Sequence, residues 1–165
     1  VVSLNMFTLD HTTDIIADAD KLRRWRNGRI VMEHGKLVRV EKRLMCGNVS
    51  MAQVWWQAHY GRTDDAICWL DYHQPRGLPG FLTLDYVRSG SQAGYRSFSG
   101  AVHVLHEIAK IRGAQAIVAH VSNGKISDRF LERMGWQRHL EDWKGRHWIR
   151  RFYDGYPESN LARFS

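Results

Sequence analysis

The sequence predicts an α+β domain, in which helices flank a mixed, mostly antiparallel sheet with one strand–helix–strand crossover. Three observations carry that expectation. Residues 81–87 alternate apolar and polar side chains, as a half-buried strand does. Residues 101–113 put Ala101, Val102, Leu105, Ile108 and Ala109 on one helical face, with Gly113 as a stop signal. Residues 114–121 form a near-continuous apolar strand, so two strands joined through a helix have to lie parallel.

The remaining elements follow in chain order. Asp10-His-Thr-Thr13 can cap a helix over residues 14–26, with Ile15, Ile16 and Leu22 inward and Asn27-Gly28 as its end. Residues 30–33 and 36–42 flank His34-Gly35 and read as a hairpin. Ser50-Met-Ala-Gln53 has capping-box spacing ahead of Val54-Trp55-Trp56, which predicts a second helix. Residues 66–72 form another strand, Gln74-Pro-Arg-Gly-Leu-Pro-Gly80 is the clearest loop, and residues 81–87 return antiparallel. Residues 128–134 read as a short helix stopped by Gly135-Trp136. Residues 136–141 and 146–153 then flank Asp142-Trp-Lys-Gly145 as a closing hairpin. With no internal repeat and no low-complexity linker, a single domain over residues 1–165 is expected.

Composition narrows the class. An apolar fraction of 44% with seven Trp argues for a folded globule. No apolar run approaches the length of a membrane span and no signal-peptide pattern appears, so no membrane partner is expected. Cys46 and Cys68 make no disulfide framework. Buried free thiols in a reducing, cytoplasmic setting are the expectation. A net charge of +7 attracts phosphates of any kind, whether in a nucleotide-like cofactor, a nucleic acid or a lipid headgroup. Solvated faces and cations at helix C-termini explain such a charge equally well, and no recognised nucleic-acid motif is present.

Between the strand at 81–87 and the helix at 101–113 lies Arg88-Ser-Gly-Ser91-Gln-Ala-Gly94-Tyr-Arg-Ser97, rich in small and polar residues. Backbone N–H groups at a helix start favour an anion, small residues let a pyrophosphate approach, and Arg96 could add a charged contact. A flexible turn is the plainer reading of the same residues.

With Ala109-x-x-x-Gly113, Asn123 and Phe130-Leu-Glu-Arg-Met-Gly135-Trp136 in that order, residues 81–153 resemble the Gcn5-related N-acetyltransferase superfamily. The resemblance implies that the two parallel strands splay apart and dock a coenzyme A thioester in the opening. It implies acyl transfer, from acetyl-CoA or another acyl-CoA, to an amine acceptor, with the protein a monomer or homodimer. Cofactor contacts would come from Tyr86, Val87, Ser91, Gln92, Ala93, Gly94, Tyr95, Arg96, Ser97 and Asn123, and Asn123 could equally cap the last helix. Asp85 and His120 are the first candidates for deprotonating the acceptor, with Glu33 and Glu41 behind them.

Two departures qualify the resemblance. The family's loop, Gln/Arg-x-x-Gly-x-Gly/Ala, is matched best by Arg88-Ser-Gly-Ser91-Gln-Ala93, where Ser91 replaces the central Gly. Counting back from Ala109 instead points to residues 94–99. The Tyr that often protonates the departing thiolate falls on Leu131. A fold member that binds without catalysing, or a basic nucleic-acid-binding module, are the competing expectations. No metal site is expected: His103 and Glu107 share a helical face without a third ligand, and that face is expected to be exposed. His139 and His147 are expected as a cross-strand structural pair.

Overall fold

The computed structural model describes residues 10–43, 66–122 and 124–165. The strands are β1 (His11–Thr12), β2 (Asn27–Glu33), β3 (Lys36–Lys42), β4 (Ile67–His73), β5 (Phe81–Ser89), β6 (Ala116–Val121), β7 (Gln137–Arg138) and β8 (Arg146–Arg151). The helices are α1 (Ala19–Arg24), α2 (Gly94–Arg112) and α3 (Asp128–Arg133), with a 3-10 turn at Leu161–Phe164. One mixed sheet runs β1-β3-β2-β4-β5-β6-β8-β7. Its neighbours are antiparallel except β5 and β6, which α2 joins in the expected crossover. The helix expected after Ser50, Cys46 and Asn123 lie outside the described residues. No helix among the described residues is long and apolar enough to cross a membrane.

Local chemistry sets the turns. Glu33 pairs with Lys36, leaving His34 and Gly35 as a two-residue loop with φ of 50° and 76°. Positive φ at both central positions gives the turn a twist that matches its strands. The first helix is shorter than its pattern implies. Asp14 accepts hydrogen bonds from the N–H groups of Ile16 and Ala17 (3.1 and 3.0 Å), so a side-chain-capped turn forms first and α1 starts only at Ala19. That turn buries Ile15 and leaves Ile16 exposed, against the expectation that both point inward.

Helix α2 begins at Gly94, seven residues before the expected start, and lies across β2 and β4. Ser97 and Gly100 in its first turns are small because neighbours press on them. The Ser97 hydroxyl accepts the Gly35 N–H at 2.8 Å. A Cβ at Gly100 would stand 2.5 Å from Met32 Cε and 2.7 Å from the Phe164 ring. At the other end Gly113 takes φ 68°, and the Ala114 N–H donates to the Ala109 carbonyl at 2.8 Å. This is a Schellman-type stop, and it gives Ala109-x-x-x-Gly113 a physical meaning.

Buried Cys68 is a free thiol that burial raises to about 11, which makes it inert at neutral pH. The expectation of an exposed face at His103 and Glu107 fails. Glu107 is buried, and His103 stacks on Phe164 of the tail at 5.3 Å. His106 is buried too, between Trp136 and Phe152, and neither ring nitrogen has a partner among the described residues. Burial, then the charges of Arg150 and His103, push its imidazole down to about 3.

Two outcomes follow from these positions. Nothing lies within 4 Å of a Cβ at Gly113, so Gly113→Ala should cost about 1–2 kcal/mol of pure backbone strain, read as a lower urea midpoint. For His106 the unfolded chain binds a proton below about pH 6.5 while the folded chain does not. Stability should therefore fall by up to about 1.4 kcal/mol per pH unit on acidification from there towards pH 3. His106→Leu should flatten that acid limb in denaturation curves taken across the range.

Candidate active site

The parallel ladder is short. β5 and β6 pair from Phe81↔Ala116 to Leu84↔Ala119 and no further, although β5 continues to Ser89 and β6 to Val121. Beyond that point each strand stays bound to its outer neighbour. β4 holds β5 through Cys68↔Ser89, and β8 holds β6 through Val121↔Arg146. The strands part, and a cleft of about 230 Å³ opens between residues 84–87 of β5 and residues 119–122, with Ile126 at one side.

A bulge helps to open it. Asp71 pairs with Tyr86 and Tyr72 with Leu84, so Asp85 is an extra residue with no opposite number on β4. Such an insertion bends its strand and frees backbone groups. The Asp85 side chain, only 12% exposed, meets His73 Nδ1 with both carboxylate oxygens at 2.7 Å. Burial raises the Asp85 carboxyl above its ordinary range. The hydrogen bond and charge of His73 oppose that rise, and Asp71 adds to it. Asp71 is in turn gripped by Arg29 in a two-pronged pair at 2.7 and 2.9 Å, and the Arg29 guanidinium lies 4.3 Å above the Trp69 ring.

His120 stands across the cleft on β6. Its ring stacks on His147 of β8 at 4.4 Å and 13°. Gly145 comes so close that a Cβ there would sit 2.5 Å from His120 Nε2. His147 therefore pairs with His120 by its ring, and meets His139 only through the backbone, where the His139 N–H donates to the His147 carbonyl.

The connection from β5 to α2 is only Gly90 to Ala93, so the residues that lead into the helix are Arg88-Ser-Gly-Ser91-Gln-Ala93. Ala93 occupies the cap position without a side-chain hydrogen bond, and the first turn of α2 has no acidic residue. A 19-residue helix thus starts with unsatisfied N–H groups and the positive end of its dipole. Ser91, Gln92, Gly94 and Tyr95 are exposed there, and Ala93 is buried. Tyr86 is exposed and Val87 partly so.

Two expected cofactor contacts are engaged elsewhere. Ser97 is fully buried, its hydroxyl committed to Gly35. The Arg96 guanidinium donates to the Arg163 carbonyl at 3.1 Å, and its stem packs on Gly35. The cap of α3 is Ser127, which accepts the Phe130 N–H at 3.1 Å. Leu131 is buried. His73, which does not line the cleft but holds Asp85, is the residue beside the site that sequence reasoning missed. The period-two pattern puts Trp69, Asp71 and His73 on one face of β4, but the strand read from the sequence stops at Tyr72.

No protein-family model matches the chain, and no curated protein matches it. Among solved structures, a crystal structure of a candidate phosphinothricin N-acetyltransferase is 9% identical, with 87% of this chain and 98% of that one covered at a TM-score of 0.42. A nourseothricin acetyltransferase is 15% identical, with 88% and 99% covered at a TM-score of 0.40. Likeness at that level assigns neither family nor activity.

Side-chain burial separates the two serines near the helix start. Ser97→Ala should cost about 1–3 kcal/mol, because it strands the Gly35 N–H. Exposed Ser91→Ala should stay within about 0.5 kcal/mol, both read from urea midpoints.

Proposed function

We propose that the chain is an acyl-CoA-dependent N-acyltransferase that moves an acetyl group from acetyl-CoA to an amine. The observation that carries the reading is the parting of β5 and β6 beside an uncapped helix start. Unpaired strand backbone suits the amide-bearing arm of coenzyme A, and free helical N–H groups suit its pyrophosphate. Both belong to the arrangement that the Gcn5-related resemblance implies.

In this reading Ser91, Gln92 and Gly94 cradle the pyrophosphate through their backbone, and Tyr95 borders it. The backbone of Tyr86 and Val87 runs along the pantetheine arm. The N–H groups freed around the Asp85 bulge polarise the thioester carbonyl, which favours the tetrahedral oxyanion. The coenzyme supplies an activated acyl group, so holding the amine against it provides much of the rate. Asp85 and His120 line the cleft from opposite strands, and in this reading they border the path of the amine's proton. Buried Leu131 has no proton to give, so the leaving thiolate takes its proton from water. That same residue favours a second reading, a protein of this fold that binds coenzyme A without turning it over.

Acetyl-CoA at 100 times its dissociation constant should stabilise the folded chain by about 2.7 kcal/mol, read as a raised melting temperature. Gly94→Asp should remove that shift while the chain stays folded. Its Cβ meets nothing within 4 Å, although φ of 70° costs the variant about 1–2 kcal/mol of backbone strain, and a carboxylate at a helix start is favourable to the helix but repels a phosphate. An unchanged shift in the variant would place the cofactor somewhere else, and binding without thiol release would favour the second reading.

A further inference from the structure

We infer that His73 is the general base of the cleft and that Asp85 acts through it as a positioning residue. The inference rests on the acyltransferase reading and goes beyond it by assigning the proton acceptor to a strand outside the parted pair. Both Asp85 oxygens lie 2.7 Å from His73 Nδ1. An ionised carboxylate only accepts hydrogen bonds, so Nδ1 carries the proton of the neutral ring, and Nε2 is left with its lone pair. Nε2 has no hydrogen bond among the described residues, and the side chain is 21% exposed. The carboxylate that fixes the tautomer lines the cleft at its bulge, and His73 stands behind it on β4, beside the cleft and outside its lining.

Asp85 alone is a poorer base, because its oxygens are turned onto the imidazole. His120 is the other cleft imidazole, and it is stacked on His147 with Gly145 against its Nε2. Among the described residues no carboxylate holds its ring as Asp85 holds His73. The charged groups facing the dyad are Asp71 on β4, Arg29 on β2, whose charge is paired with Asp71, and His120 across the cleft. Arg43 lies near Arg29 and Asp71.

The step balances as follows. A protonated amine loses two protons on becoming an amide. His73 Nε2 takes one and passes it to solvent, which bares the nitrogen lone pair. That pair forms the C–N bond to the thioester carbonyl carbon. The tetrahedral intermediate then collapses, the C–S bond breaks with its electrons on sulfur, and the second proton reaches the thiolate through water.

The test uses the full chain, acetyl-CoA, and three primary amines (ethanolamine, spermidine and alanine), with thiol release as the rate. Long-range proton–nitrogen spectra of the imidazoles read the tautomer. The wild type should show His73 protonated at Nδ1, and Asp85→Ala should mix the two tautomers. His73→Gln should lower kcat by about 10²–10⁴-fold, leave the KM for acetyl-CoA unchanged and remove the acidic limb of the rate profile. A proton on Nε2 in the wild type would overturn the inference. So would His73→Gln turning over within about threefold of wild type, or a wild type that binds acetyl-CoA yet releases no thiol with any of the three amines. Absence of an acetyl-CoA melting shift would instead sink the reading of the cleft, and the inference with it.

Discussion

A backbone group in the middle of a broad sheet ordinarily finds partners on both sides, and a buried one left bare costs about 1–3 kcal/mol. From Asp85 onward β5 has a ladder only towards β4, and from His120 onward β6 has one only towards β8. The sheet forgoes several bonds at its centre, where they would be easiest to make. The extra residue in β5 makes closure awkward, and the two outer ladders hold the strands where they diverge. The cleft exists because that central ladder stops at Leu84 and Ala119, and the bulge at Asp85 brings the carboxylate to its edge.

The basic residues have structural tasks that composition alone could not separate from binding. Arg112, in the last turn of α2, donates to the carbonyls of Leu22, Arg23 and Trp25, and so satisfies the open end of α1. Arg146 donates to the Ile126 carbonyl and pairs with Asp128 at the start of α3. Arg29 is spent on Asp71. Arg112 thus stands at a helix C-terminus, as the plainer reading of the composition expects, whereas Arg29 and Arg146 are held in pairs.

What was legible in the sequence was punctuation. His34-Gly35, Gly113 and Gly135 mark turns that need positive φ, and all three adopt it. Alternation located β4 and β5, and the apolar run located β6. The start of α2 was hidden because Ser97, Ser99 and Gly100 resemble a loop, whereas two of them are small for reasons of packing against Gly35, Met32 and Phe164. The cover over His103 was hidden likewise, since it comes from Phe164, in a tail about sixty residues away that has no period of its own. Asp85 was found as a lone carboxylate. Its pairing with His73 needed the register of β4 on β5, and a bulge shifts that register by one residue.

That single extra residue in β5 has a structural reach out of proportion to its size. The bulge absorbs position 85, so a chain lacking it would keep Leu84 opposite Tyr72 and Tyr86 opposite Asp71, each on its present face. The far half of β5 would then run as regular pleat, free to zip onto its parallel neighbour and fill the gap with backbone. A chain one residue shorter here would present a sealed wall instead of a doorway.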